Sequence, residues 1–370
     1  MSSLLGGVIF VAIMIPVFLT SMFIPYWTRK TESFGVSIPE EVYHYNELKG
    51  FRKSYATRVG IFSVVIAAVF LLFSAGGLES EQAFSWLFST IILTYLVGSF
   101  IIYLRYHNRM KVMKKEQGWQ KEKPQRTVID TSFRDQKLTY SNAWFLLPLA
   151  VTVATIFMTF SFFDRIPDRI PMQYDFAGNV TNWADKSYRS VLFMPVMQVY
   201  LIGLFLFINS MTARAKQQVS AEKPEESKAR NVIFRRRWSL FLILTSVGIV
   251  LLFSLIQWSF IFSVPQSLLV YTPILFGAAV TIASIWIAYT TGQGGSRVQM
   301  TTTDSGDVID RDDDRYWKLG QFYFNKNDPS LFLEKRFGVG WTINLARPLA
   351  WIIFLVIIGL AVGLPLILGV

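Results

Sequence analysis

The chain has 370 residues, 52% of them hydrophobic, with 32 phenylalanines, a positive mean hydropathy and a formal charge of +11. That composition belongs to membrane proteins rather than to soluble domains of this length. It holds no cysteine and only two histidines, His44 and His107. Disulfides, thiolate nucleophiles, iron–sulfur clusters and thiolate zinc sites are thereby excluded, and a His-rich metal site or a His-based triad is disfavoured.

Eight stretches are apolar and free of Asp, Glu, Lys and Arg: 4–27, 60–77, 84–104, 144–163, 191–211, 239–263, 269–290 and 349–370. Each is close to the roughly 20 residues that cross a bilayer. The expected fold class is an all-α integral membrane protein of about eight transmembrane helices, with a short cytoplasmic amphipathic helix and small strand elements. Four alternate connections carry 32 of the 36 Lys and Arg; the others hold only Arg165, Arg169, Lys186 and Arg189. The positive-inside rule then places the basic loops in the cytoplasm and both termini outside. This accounts for the basic charge without nucleic acid as a partner. The first span lacks a basic leader, and Arg29-Lys30 follows it, so it reads as a retained span rather than a signal peptide.

In the first basic loop, Ser37-Ile38-Pro39-Glu40 fits a capping box and predicts a helix over 38–58. Tyr45, Leu48, Phe51 and Tyr55 share one face of it, which suits either the inner leaflet or packing on other loops. Within the spans, Gln198, Asn209 and Gln257 read as helix–helix hydrogen-bonding groups, with a substrate pathway as the alternative. Gly98, Gly277 and Ala278 read as close-packing points, and Pro16, Pro195 and Pro273 as kinks. The third basic loop, 213–238, is polar and interrupted by proline, as a flexible linker would be. In the fourth, short strands are expected at 297–301 and 321–325. Asp310, Asp312, Asp313 and Asp314 lack the Gly and distal Glu of a calcium loop, so they read as a solvated acidic turn.

The connection 164–189 is the only sizeable one on the side poor in Lys and Arg. Its X-Pro pairs extend it, Ala177-Gly178-Asn179 supplies a turn, and Tyr174, Phe176 and Trp183 suit the headgroup level. Ile166-Pro167, then Ile170-Pro171-x-x-Tyr174-Asp175-x-x-Gly178, then Trp183-x-x-Lys186, resembles the signature of the SdpI-type bacterial membrane proteins. That broad family is named for an immunity protein against a secreted peptide toxin, and many of its members carry only a domain of unknown function built around this loop. Phe34-Gly35-Val36-x-Ile38-Pro39-Glu40-Glu41 also looks like that family, and the stretch from Thr131 to Arg134 with Tyr140 to Trp144 resembles one that precedes the domain in its longer members. The tail with Phe322-Tyr323-Phe324-Asn325-x-Asn327-Asp328-Pro329 and Lys335-Arg336-Phe337-Gly338-x-Gly340-Trp341-Thr342-x-Asn344 is similar to a second uncharacterised module found with its longer members. Family members often carry His where this chain has Gln173, so a protonatable or metal-binding role there does not carry over.

The resemblance implies a loop group that serves ligand recognition or loop structure (Pro167, Ile170, Pro171, Gln173, Tyr174, Asp175, Gly178, Trp183, Lys186). It also implies a cytoplasmic motif group (Phe34, Gly35, Pro39, Glu40, Asn327, Asp328, Pro329, Lys335, Arg336, Phe337, Gly338, Trp341). The chain divides as a three-span region with its basic loop (1–143), a two-span unit with the Ile-Pro loop (144–237), a two-span hairpin (238–290) and a cytoplasmic module with the last span (291–370). Nucleophile-elbow, P-loop and HExxH patterns are missing, and no span holds a carboxylate. No catalytic residue, cofactor or metal is therefore expected. The leading expectation is a non-enzymatic membrane protein for sensing of, or immunity to, an extracellular or membrane-active peptide, able to signal to a cytoplasmic regulator. The alternative is a transporter or peptide exporter, against which the uncharged spans stand. The expected partners are the lipid bilayer, an extracellular peptide and that regulator.

Overall fold

A computed structural model describes residues 3–75, 81–119, 137–174, 180–217, 224–298 and 314–369. In chain order these form helix α1 (Ser3–Trp27), strands β1 (Glu32–Ser33) and β2 (Val36–Ser37), a 3-10 turn (Glu40–His44), and helices α2 (Asn46–Ala75), α3 (Glu81–Glu116) and α4 (Leu146–Ser161). Strands β3 (Arg169–Tyr174) and β4 (Val180–Asp185) follow, then helices α5 (Tyr188–Val191), α6 (Phe193–Arg214), α7 (Pro224–Ser259) and α8 (Gln266–Thr291). The chain continues with strands β5 (Trp317–Lys318), β6 (Phe322–Tyr323), β7 (Phe332–Glu334) and β8 (Trp341–Ile343) and ends in helix α9 (Pro348–Leu368). Every sheet is an antiparallel pair of successive strands.

Among the described residues, seven helices are long and apolar enough to cross a membrane: α2, α3, α4, α6, α7, α8 and α9. Helix α1 adds a shorter apolar stretch over Ile13–Trp27. The chain is a helical, multi-pass membrane-type protein. Large apolar side chains on α8 and α9, such as Leu275, Trp286, Leu355 and Ile358, point outward, as lipid-facing helices require.

Several local expectations are corrected. The capping box does not form: Pro39 caps the 3-10 turn with no side-chain bond, while Ser37 donates to Asp314. Helix α2 then starts at Asn46 and runs unbroken into its apolar stretch, because nothing between Arg58 and Ser63 breaks a helix except Gly60, which costs only about 1 kcal/mol. The expected amphipathic helix is thus the first turns of α2, with Leu48, Phe51 and Tyr55 buried and Tyr45 exposed. The third basic loop is helical from Pro224 onward, with Pro tolerated in the first turn. Pro195 likewise sits in the first turn of α6, where its missing N–H disturbs no bond, whereas Pro16 and Pro273 lie inside their helices. A strand does form at Phe322–Tyr323, within 321–325. At 297–301, residues 297–298 are not strand and 299–301 lie outside the described residues, as do 310–313 and 131–134.

The chain falls into two compact units, each discontinuous in sequence. The first comprises Met1–Gln136, Lys216–Phe234 and Ile285–Ala346, and the second comprises Lys137–Ala215, Arg235–Ser284 and Arg347–Val370. In the first, α1, α2 and α3 pack through aromatic rings. Phe10 stacks on Phe70 with centroids 3.8 Å apart, and Phe62 stacks on Tyr95 at 5.7 Å. Gly98 lets Phe62 lie flat on α3, since a Cβ there would fall 2.3 Å from the ring. Gly277 and Ala278, expected as similar points, have open surroundings instead; the close approach is at Gly248, against Phe276.

In the second unit, α4 buries Pro148, Thr152, Thr155 and Thr159, one side chain per turn. Helix α6 ends at Arg214, and its last carbonyls need donors. Arg235 of α7 supplies them: Nη1 donates to the Thr212 carbonyl at 2.6 Å and Nη2 to the Ala215 carbonyl at 2.9 Å. Of the basic triplet 235–237, Arg235 is 0% exposed while Arg236 and Arg237 are solvent-facing. Replacing Arg235 by Met should therefore lower stability by about 2–4 kcal/mol, since buried carbonyls lose charge-assisted partners. Arg236→Met should cost less than about 0.5 kcal/mol. Thermal unfolding of the detergent-solubilised proteins measures both.

Candidate functional site

Three places gather the residues singled out in the sequence. The first is the β3–β4 hairpin of the second unit. Arg169 pairs with Asp185, Ile170 with Ala184 and Pro171 with Trp183; the register then slips twice, to Gln173 opposite Asn182 and Tyr174 opposite Val180. The slip begins at Pro171, which has no N–H to give the ladder, and it leaves Met172 outside the pairing. The expected extended loop is thus a bulged hairpin, and its two faces differ. Ile166, Ile170 and Met172 are buried together with Val191 and Phe260. Arg169, Gln173, Asn182, Trp183 and Asp185 face outward.

Lys186 is not a free cation of this face. Its N–H donates to Asp168 at 2.7 Å, its Nζ donates to the Ile166 carbonyl at 2.8 Å, and it lies 4.8 Å over the Phe163 ring. Ser187 and Ser190 then form a reciprocal cap on α5, and Ser190 also donates to the Asp185 carbonyl at 2.7 Å. The hairpin is thereby tied at its base. On the outer face Trp183 is 46% exposed, and the Arg169 guanidinium sits 5.8 Å from its ring. Of the loop group, Pro167, Gln173 and Trp183 are exposed, Pro171 is half-buried, and Ile170 and Lys186 act structurally. Only the backbone of Tyr174 is described, and Asp175 and Gly178 lie outside the described residues. Sequence reasoning did not single out Arg169 and Asp185, because their pairing depends on a strand register that only the folded hairpin sets.

The second place, in the first unit, is a buried cluster around the β1–β2 turn. Phe34 and Gly35 both have positive φ, 48° and 75°. A two-residue hairpin turn of this hand demands that, and Phe is an unusual choice for it. Packing holds the residue there: the Phe34 ring lies 5.3 Å from Tyr55 and from Tyr106 and 5.9 Å from Phe337. Its carbonyl accepts from His107 Nδ1 at 2.8 Å and from Tyr103 at 3.2 Å. The β5–β6 turn meets it there. Tyr103 Oη is 3.0 Å from the Leu319 carbonyl, and a Cβ on Gly35 would fall 2.4 Å from the Gly320 oxygen.

Beside these turns three cations and three carboxylates are gathered, all of them buried except Asp314, which is half-buried. Asp314 accepts from Lys114 at 2.8 Å, from both the N–H and hydroxyl of Ser37 at 3.1 Å, and from Arg336. Arg29 pairs with Glu334, which also accepts from Asn231 at 2.6 Å. Arg336 Nε lies 4.0 Å from Glu32, and its guanidinium rests 5.2 Å over Trp317. The expected solvated acidic turn is corrected at Asp314, a half-buried anion paired within the chain with Lys114 and Arg336. Glu32 is the uneven member: one of its buried oxygens finds no hydrogen-bond partner among the described residues. Burial pushes this carboxyl up to about 7, against the lowering pull of Arg29 and Arg336.

The rest of the motif group is a separate hub. Asn344, fully buried, donates to the carbonyls of Asn325 and Asp328 and accepts from the N–H groups of Asn325 and Ala346. Asp328 accepts from Lys216 at 2.6 Å, Tyr323 at 2.8 Å and the Ser330 N–H at 3.0 Å. Burial would raise its carboxyl, yet these bonds outweigh it and hold it at about 2. Trp341 lies 5.1 Å from Phe234, and the Gly338 N–H donates to Thr28. Pro39 and Glu40 begin the 3-10 turn and are half-buried, while Asn327, Pro329 and Lys335 are exposed. Arg336, Phe337, Phe34 and Gly35 are thus brought together, and Asn327, Asp328 and Pro329 stand apart from them.

Two segments of the chain match family models of unknown function. Residues 150–199, from α4 through the hairpin into α6, match a domain of unknown function, DUF1648. Residues 326–351, which hold the Asn344 hub, match a family of unknown function, DUF5808. No curated protein and no solved structure matches the chain.

Glu32 sets a pH dependence whose sign is fixed. The folded carboxyl titrates near 7 against an ordinary 4.5, so folding takes up a proton between those values. Stability from this group is complete below about pH 4.5 and falls as the pH rises toward 7, by on the order of 3 kcal/mol. Glu32→Gln should flatten the thermal stability profile over that range and melt higher than the parent at pH 8.

Proposed function

We propose that the chain is an eight-span, non-enzymatic bacterial plasma-membrane protein that recognises an extracellular or membrane-active peptide through the outer face of the β3–β4 hairpin. The observation that carries this reading is the exposed Trp183 under Arg169, on a sheet whose other face is anchored by Ile166, Ile170 and Met172. Trp and Arg dominate binding hot spots, and a tied hairpin loses little entropy when a partner docks. A two-stranded sheet also offers edge N–H and C=O groups to an extended peptide. The distribution of Lys and Arg supports an external position for the hairpin with both termini outside. The resemblance to SdpI-type proteins supports immunity as the biological outcome. On the basic side, most motif side chains bond within the chain, so a cytoplasmic regulator would meet exposed groups such as Asn327 and Lys335.

Orientation is tested with a single reporter, because the chain has no native cysteine. Asn182→Cys should react with a membrane-impermeant maleimide in intact cells; reaction only after lysis overturns the external hairpin. Recognition is tested by titrating the protein in nanodiscs with a panel of secreted membrane-active peptides. Trp183→Ala should weaken the tightest binder by about tenfold or more, as loss of an anchor worth over 1.4 kcal/mol requires. It should also reproduce the peptide sensitivity of a deletion strain. Unchanged binding and resistance in that variant overturn the reading.

A further inference from the structure

Helices α4, α6 and α7 of the second unit turn polar side chains toward one another inside an apolar exterior. Asn209 Nδ2 donates to the Tyr140 carbonyl at 3.2 Å and to Asn142 at 2.8 Å, and its Oδ1 accepts from Ser239 at 2.6 Å. Further along α7 comes Ser246. Beyond it, Gln198 Nε2 donates to the Val250 carbonyl and to Ser254, both at 3.0 Å, and Ser254 meets Thr155 at 2.8 Å. Gln257 Nε2 follows, donating to Thr159 and to the Val191 carbonyl, both at 3.1 Å. From Ser239 to Gln257 the α7 axis rises about 27 Å at 1.5 Å per residue. That is close to the ~30 Å thickness of a bilayer's hydrocarbon core.

Three atoms along this column have no hydrogen-bond partner among the described residues: Ser246 Oγ, Gln198 Oε1 and Gln257 Oε1. All three side chains are fully buried. The amide orientations are not interchangeable. Each Nε2 faces a backbone carbonyl, which only accepts, so the unmet end is the oxygen. Leaving such an acceptor unmet in low dielectric costs roughly 1–3 kcal/mol. A ligand of the two amide oxygens must present a donor hydrogen or a positive charge, which excludes an anion there, and must be small, because the side chains are fully buried. The apolar segments of these helices carry no carboxylate to balance a cation, and an uncompensated charge there costs at least ~2.5 kcal/mol.

We propose that the α4–α6–α7 core is a hydrated column that binds small neutral hydrogen-bond donors, water foremost, at the amide oxygens of Gln198 and Gln257 and the hydroxyl of Ser246. The bundle thus carries a polar line through the apolar layer, independent of what the hairpin recognises.

X-ray radiolytic footprinting in nanodiscs tests this, because hydroxyl radicals form from bound water and label the side chains next to it. Val250 and Ile202 line the core, whereas Val356 and Ile358 of α9 face outward into lipid. Val250 and Ile202 should label above Val356 and Ile358, and the excess should be lost in Gln198→Leu/Gln257→Leu. Equal labelling of the two pairs in the wild-type protein overturns the proposal, whether or not the variant folds. An unfolding midpoint raised by sodium or potassium over choline at equal ionic strength, in the wild type but not in the variant, also overturns it by showing a cation as the ligand.

Discussion

The guanidinium of Arg336 meets Asp314, approaches Glu32 to 4.0 Å and lies 5.2 Å over the Trp317 ring, with only 2% of the residue exposed. A charge so far from water persists only if opposite charges and hydrogen bonds surround it. That requirement governs the first unit. Arg29, Lys114 and Arg336 come from three distant parts of the chain, and the carboxylates come from its beginning, Glu32, and from the last basic segment, Asp314 and Glu334. Removing one member leaves its partner charged and buried, so the cluster specifies how the β1–β2, β5–β6 and β7–β8 turns assemble. Its composition is that of a closed ionic tie rather than a ligand pocket, with one oxygen of Glu32 left without a hydrogen-bond partner among the described residues.

The same requirement acts without charge in the second unit. Threonines recur along α4, amides stand on α6 and α7, and each amide nitrogen finds a carbonyl or hydroxyl. Such contacts hold helices together where surrounding lipid offers no hydrophobic drive for their association. Arg235 extends the logic to the helix end, where it binds carbonyls that α6 leaves open. The hairpin is the exception to internal closure. Its base and inner face are fastened by Lys186, Ser190 and the Ile166 cluster, and its outer face keeps a Trp–Arg pair with no burial behind it. An anchored element with one free aromatic face is suited to meeting a partner, whereas the motif residues around Asn344 are engaged in holding their own loop.

The apolar helices were legible in the amino-acid sequence because a bilayer span needs length and the absence of charge, and both are local properties. So was the helix-to-helix bonding of Gln198, Asn209 and Gln257, since a lone amide in an apolar run must bond to a neighbour. The pairing of Arg169 with Asp185, the burial of Arg235 but not Arg236, and the gathering of Asp314 with Lys114 and Arg336 were not legible. Each depends on residues that are brought together only when the chain folds, across 200 positions in the case of Lys114 and Asp314. The sequence by itself determined which segments leave water. Which of the remaining polar groups become internal ties and which stay exposed was settled by folding, because desolvation depends on the whole surroundings of a group and not on its neighbours in the chain.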